Sequence, residues 1–270
     1  MRSLALWFVI VVLCVVGGGV YYWKNHTERE ARLEQMQPAS GPTAQAPAPA
    51  PEDEKPVYPL PAQAPPTDQS EPKPLPPLAQ SDEPLREALQ GPVAGPDFDD
   101  LMIGKDIVRR IVATVDNLPR KRVAERLLPL KSPGGNLNVS GQGEIVALSP
   151  ANYGRYTHYV KLAQSIDAHK LVAVYVHYYP LFQDAYRELG YPKKQFNDRV
   201  IQAIDDLLNA PVPSKPPELV RPKVFYEFED PALEELSAGR KIMLRIGPDN
   251  ASIIKNKLRE IRSALVVEKR

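Results

Sequence analysis

Apolar residues in the C-terminal two-thirds of the chain recur mainly at three- and four-residue intervals. Leu101, Val108, Ile111, Val112 and Val115 predict a helix over about Asp97–Asn117, which Leu118-Pro119 stops. Before it, Ser81 with Asp82 and Glu83 opens a short helix, and after it Lys121–Leu130 carries Val123, Leu127 and Leu128 on one side of another. Ser149-Pro150 starts a helix running to about Ile166. Asp167 caps the next, whose Leu171, Tyr175, Tyr178, Phe182, Ala185 and Leu189 fall on one face up to Gly190. The β-branched run Leu171–Val176 also fits a buried strand, but the downstream pattern continues the same face, so the expectation is a helix kinked at Pro180. Further helices follow Pro192 and Pro231, the latter extending to Ile246, and the last spans Asp249–Val267 after the Gly247-Pro248 break.

Alternation of period two is rarer. Val224, Tyr226 and Phe228 alternate with polar or outward positions in KVFYEFE, the best strand in the chain, and GEIVALS reads as a second. Pairing of the two is the simplest arrangement, with Ala210–Pro222 as an extended connection. The fold class is therefore mainly α with a small β element (α+β).

The N-terminal third is different. Leu4–Trp23 has no charged residue, and at ~1.5 Å per residue it makes a helix ~30 Å long, the thickness of a bilayer's hydrocarbon core. Trp7 at one end and Tyr21, Tyr22 and Trp23 at the other suit a membrane interface, and Gly17-Gly18-Gly19 followed by bulky residues is a poor signal-peptidase site. The expectation is an uncleaved transmembrane helix with a charged juxtamembrane stretch, residues 1–37. Of the 30 prolines, 14 lie between Pro38 and Pro77. Proline removes backbone donors and fixes φ, so residues 38–80 are expected to be a Pro/Ala-rich spacer without fixed structure, leaving 81–270 as a globular helical domain. Such a plan places the protein in the bacterial inner membrane, single-pass, with its body in the periplasm. The positive charges do not by themselves favour that orientation, since Lys24, Arg29 and Arg32 follow the span and only Arg2 precedes it.

A formal charge of +1 argues against nucleic acid as a partner. Catalytic motifs are missing. No glycine-rich phosphate loop, zinc-protease helix or nucleophile elbow occurs, and the single cysteine, Cys14, lies in the apolar N-terminal stretch. No cofactor and no metal is called for. His169 and His177 are two helical turns apart, which does not suit a shared metal. A dense run of aromatics from Tyr153 to Phe196 describes either core at helical spacing or a groove for a peptide or glycan. Tyr153, Arg155, Tyr156, Tyr178, Tyr179, Tyr186 and Arg259 are the candidate partner-binding residues. The leading expectation is a membrane-tethered, non-catalytic envelope protein whose domain binds a protein or cell-wall partner. Two alternatives remain open: a hydrolase-type enzyme using His158 or His177 with Arg155 or Asp198, and an anionic-lipid module acting through basic stripes such as Lys255, Arg259 and Arg262.

The stretches LSPANYGRY, YYPLFQDAYRELGYP, FNDRV and RPKVFYEFEDPALEELSAGRKIMLRIGPDN occur in order. Through them the chain resembles a Gram-negative family of single-pass envelope proteins known as domain of unknown function 3014, over about Leu101–Arg262 and in its anchor and spacer. The resemblance implies family membership and a cell-envelope address; it carries over no activity and no catalytic residues.

Overall fold

A core of aromatic and aliphatic side chains shared by several helices organises the described residues, which in the computed structural model are 54–61, 74–93 and 97–266. The expected anchor, the juxtamembrane stretch and the rest of the spacer lie outside them. Among the described residues no helix is long and apolar enough to cross a membrane.

In chain order the helices are α1 (Asp82–Gln90), α2 (Asp97–Leu101), α3 (Ile107–Asn117), α4 (Thr157–Ser165), α5 (Ala168–Glu188), α6 (Phe196–Leu208), α7 (Pro231–Glu234), α8 (Ala238–Arg245) and α9 (Pro248–Leu265). Strands β1 (Val139–Ser140), β2 (Ile145–Leu148), β3 (Glu218–Val220) and β4 (Glu227–Phe228) form one antiparallel sheet in sequential order. The architecture is mainly helical with a small sheet, as expected.

Asp167 caps α5, its carboxylate accepting from Lys170 N at 3.0 Å, and the helix continues through Pro180 to Glu188, with Gly190 at φ 110° just beyond it. Its buried face, Tyr178, Leu181, Phe182, Ala185 and Tyr186, packs with Leu85 and Leu89 of α1, Ile107, Val108 and Val112 of α3 and Phe196 of α6. Each such side chain is worth about 1.5–3 kcal/mol when fully buried. A second cluster, Val172, Ile201, Ile204 and Leu265, joins α5, α6 and α9. The sheet packs Val146, Leu148, Leu219 and Phe228 onto Leu244 of α8.

Several expected elements differ. The single helix over Asp97–Asn117 is two, because Asp106 adopts a left-handed conformation (φ 54°) and the Asp82 carboxylate accepts from the amides of Asp106 and Ile107, both at 2.8 Å. That gives α3 its N-cap from a distant helix. Ser81, expected to cap α1, stands at its N-cap position, but its hydroxyl donates to Leu78 O instead of accepting from an α1 amide. The helix expected over Lys121–Leu130 is a single 3-10 turn, Glu125–Leu127, held open by the Arg110 guanidinium donating to the carbonyls of Arg126 and Leu128. The two best strands do not pair with each other. Glu218–Val220, inside the expected extended connection, sits between them, with Ile145 opposite Val220 and Leu219 opposite Phe228. Val224 and Phe225 form the exposed loop that joins β3 to β4.

The expectation of an unstructured spacer over 38–80 does not hold at two places. Leu75 and Leu78 pack on the α1–α5 core, and residues 54–61 lie along α6 without regular structure, bending at Val57–Tyr58, with Tyr58 against the α5–α6–α9 cluster. Val57, Tyr58, Leu60 and Leu75 are the large apolar residues of the 38–77 stretch. Partial burial of Tyr58, Leu60 and Leu75, with Val57 left exposed, outweighs the helix- and sheet-breaking effect of the surrounding prolines, which leave a chain without regular structure free to lie on a surface.

Gly247 joins α8 to α9 at φ 89°, and a Cβ there would lie 2.5 Å from Cγ of Tyr153. Both the backbone and the ring forbid a side chain. Gly247→Ala should therefore cost about 2–4 kcal/mol, read as a fall in the thermal unfolding midpoint.

Candidate functional site

The candidate residues divide between structural duty and one end of α5. Arg155 donates to the carbonyls of Pro133, Gly134 and Gly135, at 2.8 Å for the last, and thereby shapes the loop before β1. Tyr153 packs against the sheet cluster, and Tyr156 against Met243, Ile246 and Ala251. Tyr178 donates to Pro84 O at 3.1 Å and ties α5 to α1. Arg259 is exposed on α9, donating to Asn256 Oδ1. The basic stripe expected on this helix is broken up: Lys255 donates to Ala210 O, and Arg262 forms a two-point pair with Asp205 at 2.6 and 3.2 Å. Arg155 and Asp198, either of which the enzyme alternative set beside a histidine, are engaged with backbone partners in different parts of the domain.

Tyr179 and Tyr186 lie where α5 supports the start of α6. A helix start leaves amide donors that its own backbone cannot satisfy, and burial makes that costly. Here α5 supplies the acceptors. Gln183, 4% exposed, accepts from Phe196 N at 2.8 Å and donates to Lys194 O at 2.8 Å. The Tyr179 hydroxyl donates to Gln183 Oε1 at 2.9 Å and lies 3.5 Å from Asn197 N. Tyr175 donates to Asn197 Oδ1 at 3.2 Å, which fixes the Asn197 amide group with its NH2 pointing outward. Burial pushes the hydroxyls of Tyr175 and Tyr179 above their ordinary range, and both are neutral donors at physiological pH.

This fixed helix start grips residues 54–61. Asp198 accepts from Tyr58 N at 2.8 Å and Val57 N at 3.1 Å, one oxygen to each. Asn197 Nδ2 donates to Tyr58 O at 2.8 Å, Gln195 Nε2 donates to Glu54 O at 3.1 Å, and Glu54 N donates to Lys193 O at 2.8 Å. All five bonds read the backbone of this segment.

Beside it lies a polar cavity of about 300 Å³ whose lining includes Glu54, Asp116, Arg120, Tyr186, Lys194 and Arg199. That is the lower end of the range for small-molecule sites. Its floor is the Asp116 carboxylate, 6% exposed, which pairs with Arg120 at 2.9 Å and with Arg199 at 3.1 Å. Arg120 also donates to the Tyr191 hydroxyl, and Arg199 to Asp116 O. The Tyr186 ring stacks on Tyr191 at 4.5 Å between centroids. Burial first, then the Asp116 charge, pushes the Tyr186 hydroxyl up to about 12. Among the described residues no three His, Cys, Asp or Glu side chains converge to hold a metal ion. The arrangement is suited to holding polar groups in place.

Asp116, Arg120, Gln183, Gln195, Asn197 and Arg199 were not singled out in the sequence. One signal was available: Gln183 interrupts an otherwise apolar helix face between Phe182 and Ala185, and a buried amide needs partners.

Removing one member of a buried ion cluster strands the others, so Asp116→Ala should lower unfolding free energy by about 3 kcal/mol in denaturant titrations. A raised tyrosine pKa means the fold binds the proton more tightly than the unfolded chain. Its contribution is complete below the ordinary phenol value of about 10 and disappears as pH rises through about 12. Alkaline titration followed by far-UV circular dichroism should show stability falling across that window, and less steeply in Tyr186→Phe.

Among curated proteins and among solved structures, nothing matches the chain. Residues 107–262, more than half of its length, match the model of a family described as "Protein of unknown function (DUF3014)". The match covers α3 through most of α9, including Asp116, Gln183 and the start of α6, and by it the chain belongs to that family.

Proposed function

We propose that the protein is a membrane-tethered, non-catalytic component of the bacterial envelope whose helical domain binds a protein or cell-wall partner. The observation that carries this reading is the grip of the α6 start on residues 54–61: five hydrogen bonds to the segment's backbone, four from the side chains of Gln195, Asn197 and Asp198 and one from the Lys193 carbonyl. Holding a chain by its backbone is the chemistry of recognition. The polar side chains with catalytic potential fit this reading, since Arg155, Tyr178 and Tyr179 are engaged in tying backbone or helix ends together.

The address rests on the uncharged Leu4–Trp23 stretch and on the proline-rich residues after it. In this reading the span sits in the inner membrane and the domain in the periplasm, where the accessible partners are other envelope proteins and the cell wall.

Two measurements in cells test it. A C-terminal reporter active only outside the cytoplasm should be active; an inactive reporter with an active cytoplasmic counterpart reverses the orientation. Photo-crosslinkers at the exposed positions Arg259, Val212 and Phe225 should capture a discrete partner from at least one site, and capture from none counts against a binding role.

A further inference from the structure

The segment that fills the groove belongs to the chain itself, and this has a chemical consequence. The groove between α5, α6 and α9 takes N–H groups from residues 54, 57 and 58 and offers donors to the carbonyls of 54 and 58. Positions 56 and 59 are proline, and the groove asks for no donor at either. Proline at these positions fixes φ in advance, which lowers the ordering cost of binding. One side chain anchors the segment: Tyr58 packs against the cluster of Val172, Ile201, Ile204 and Leu265. Residues 54–57 are exposed, with Val57 at 73%. At the N-terminal end Glu54 lines the polar cavity beside Lys194. The groove residues fall within the stretch that matches the family, and the occupant lies ahead of it.

We propose that this groove is a binding site for a proline-containing peptide of a partner protein, with an acidic residue two positions ahead of Pro-x-Tyr-Pro, and that residues 54–61 fill it in cis as a displaceable strap. The proposal rests on the reading of the domain as a binding module and names its ligand class and its control. The strap's advantage is its tether. Residues 62–73 join it to the next docked stretch, so it is present at high effective concentration even though a single side chain anchors it. A peptide in trans meets only the fraction of molecules whose groove is open, and its apparent affinity is reduced by that fraction. Displacement also removes Glu54 from the wall of the cavity over Asp116, coupling peptide exchange to the opening of that pocket.

The test uses the full chain in detergent micelles and a fluorescein-labelled synthetic peptide of residues 54–61, followed by anisotropy. Tyr58→Ala removes the cis anchor, and Val57→Pro removes one of the two N–H groups that Asp198 accepts without touching the core. Each should bind the labelled peptide about tenfold or more tightly than the wild-type chain. Asp198→Ala added to Tyr58→Ala should abolish that gain. Equal binding by the wild type and both variants overturns the proposal, as does a gain that survives Asp198→Ala. Light scattering on the same samples covers the remaining occupant. A wild-type dimer that Tyr58→Ala converts to monomer would assign the groove to the strap of a second copy and overturn the cis assignment. Failure here, with crosslinks still captured at Arg259, Val212 or Phe225, leaves the binding role standing and removes only this groove.

Discussion

A buried helix start has to find partners for its first amides, and in this domain that requirement is met from a neighbouring helix. Gln183 is enclosed by aromatic side chains, yet both ends of its amide are used, one by Phe196 N and one by Lys194 O. Tyr175 and Tyr179 complete the arrangement from one and two turns earlier on α5. An unpaired amide in such surroundings would cost more than the net gain of an ordinary hydrogen bond, so the register of α5 against α6 is tightly constrained. The aromatic contacts follow that register, with Phe182 stacked on Phe196 and Tyr175 edge-on to Tyr179.

The Asp116 cluster acts at the same end of α6, from the side of α3. It joins the last turn of α3 to the first of α6 through Arg199, and reaches the loop before α6 through Tyr191. Two arginines around one enclosed carboxylate favour a single docking geometry over a range of slightly shifted ones, since any displacement leaves charge without a partner. Between these two polar constraints the apolar core supplies the bulk of the driving force and the polar groups select the arrangement. The sheet side is simpler, with four short strands over Leu244 and a glycine that lets Tyr153 lie flat against the chain.

Much of the helical plan was legible in the sequence, because amphipathic periodicity and caps such as Asp167 and Ser149 act locally. The misreadings share one cause, namely interactions between residues far apart in the chain. Asp82 capping α3, Arg110 holding the 125–127 turn open and Glu218–Val220 entering the sheet all depend on long-range partners. At the candidate site the aromatic run drew attention to the correct stretch of α5, and Tyr179 and Tyr186 are there. The polar residues that give that stretch its chemistry, Asp116, Gln183, Asn197 and Arg199, follow no periodic rule. The docked spacer was hidden for a different reason: its composition argues against regular structure, and that argument is sound, but a chain needs no regular structure to be held in place.

The docked segment also sets where the domain begins along the chain. With residues 54–61 seated on α6, the first residue held by the groove is Glu54. Release back to Pro74 would free residues 54–73, whose polyproline II length is ~62 Å. In the proposed membrane-tethered arrangement the groove is thereby a length setting: an event at α6 alters the radius of the volume the domain can search.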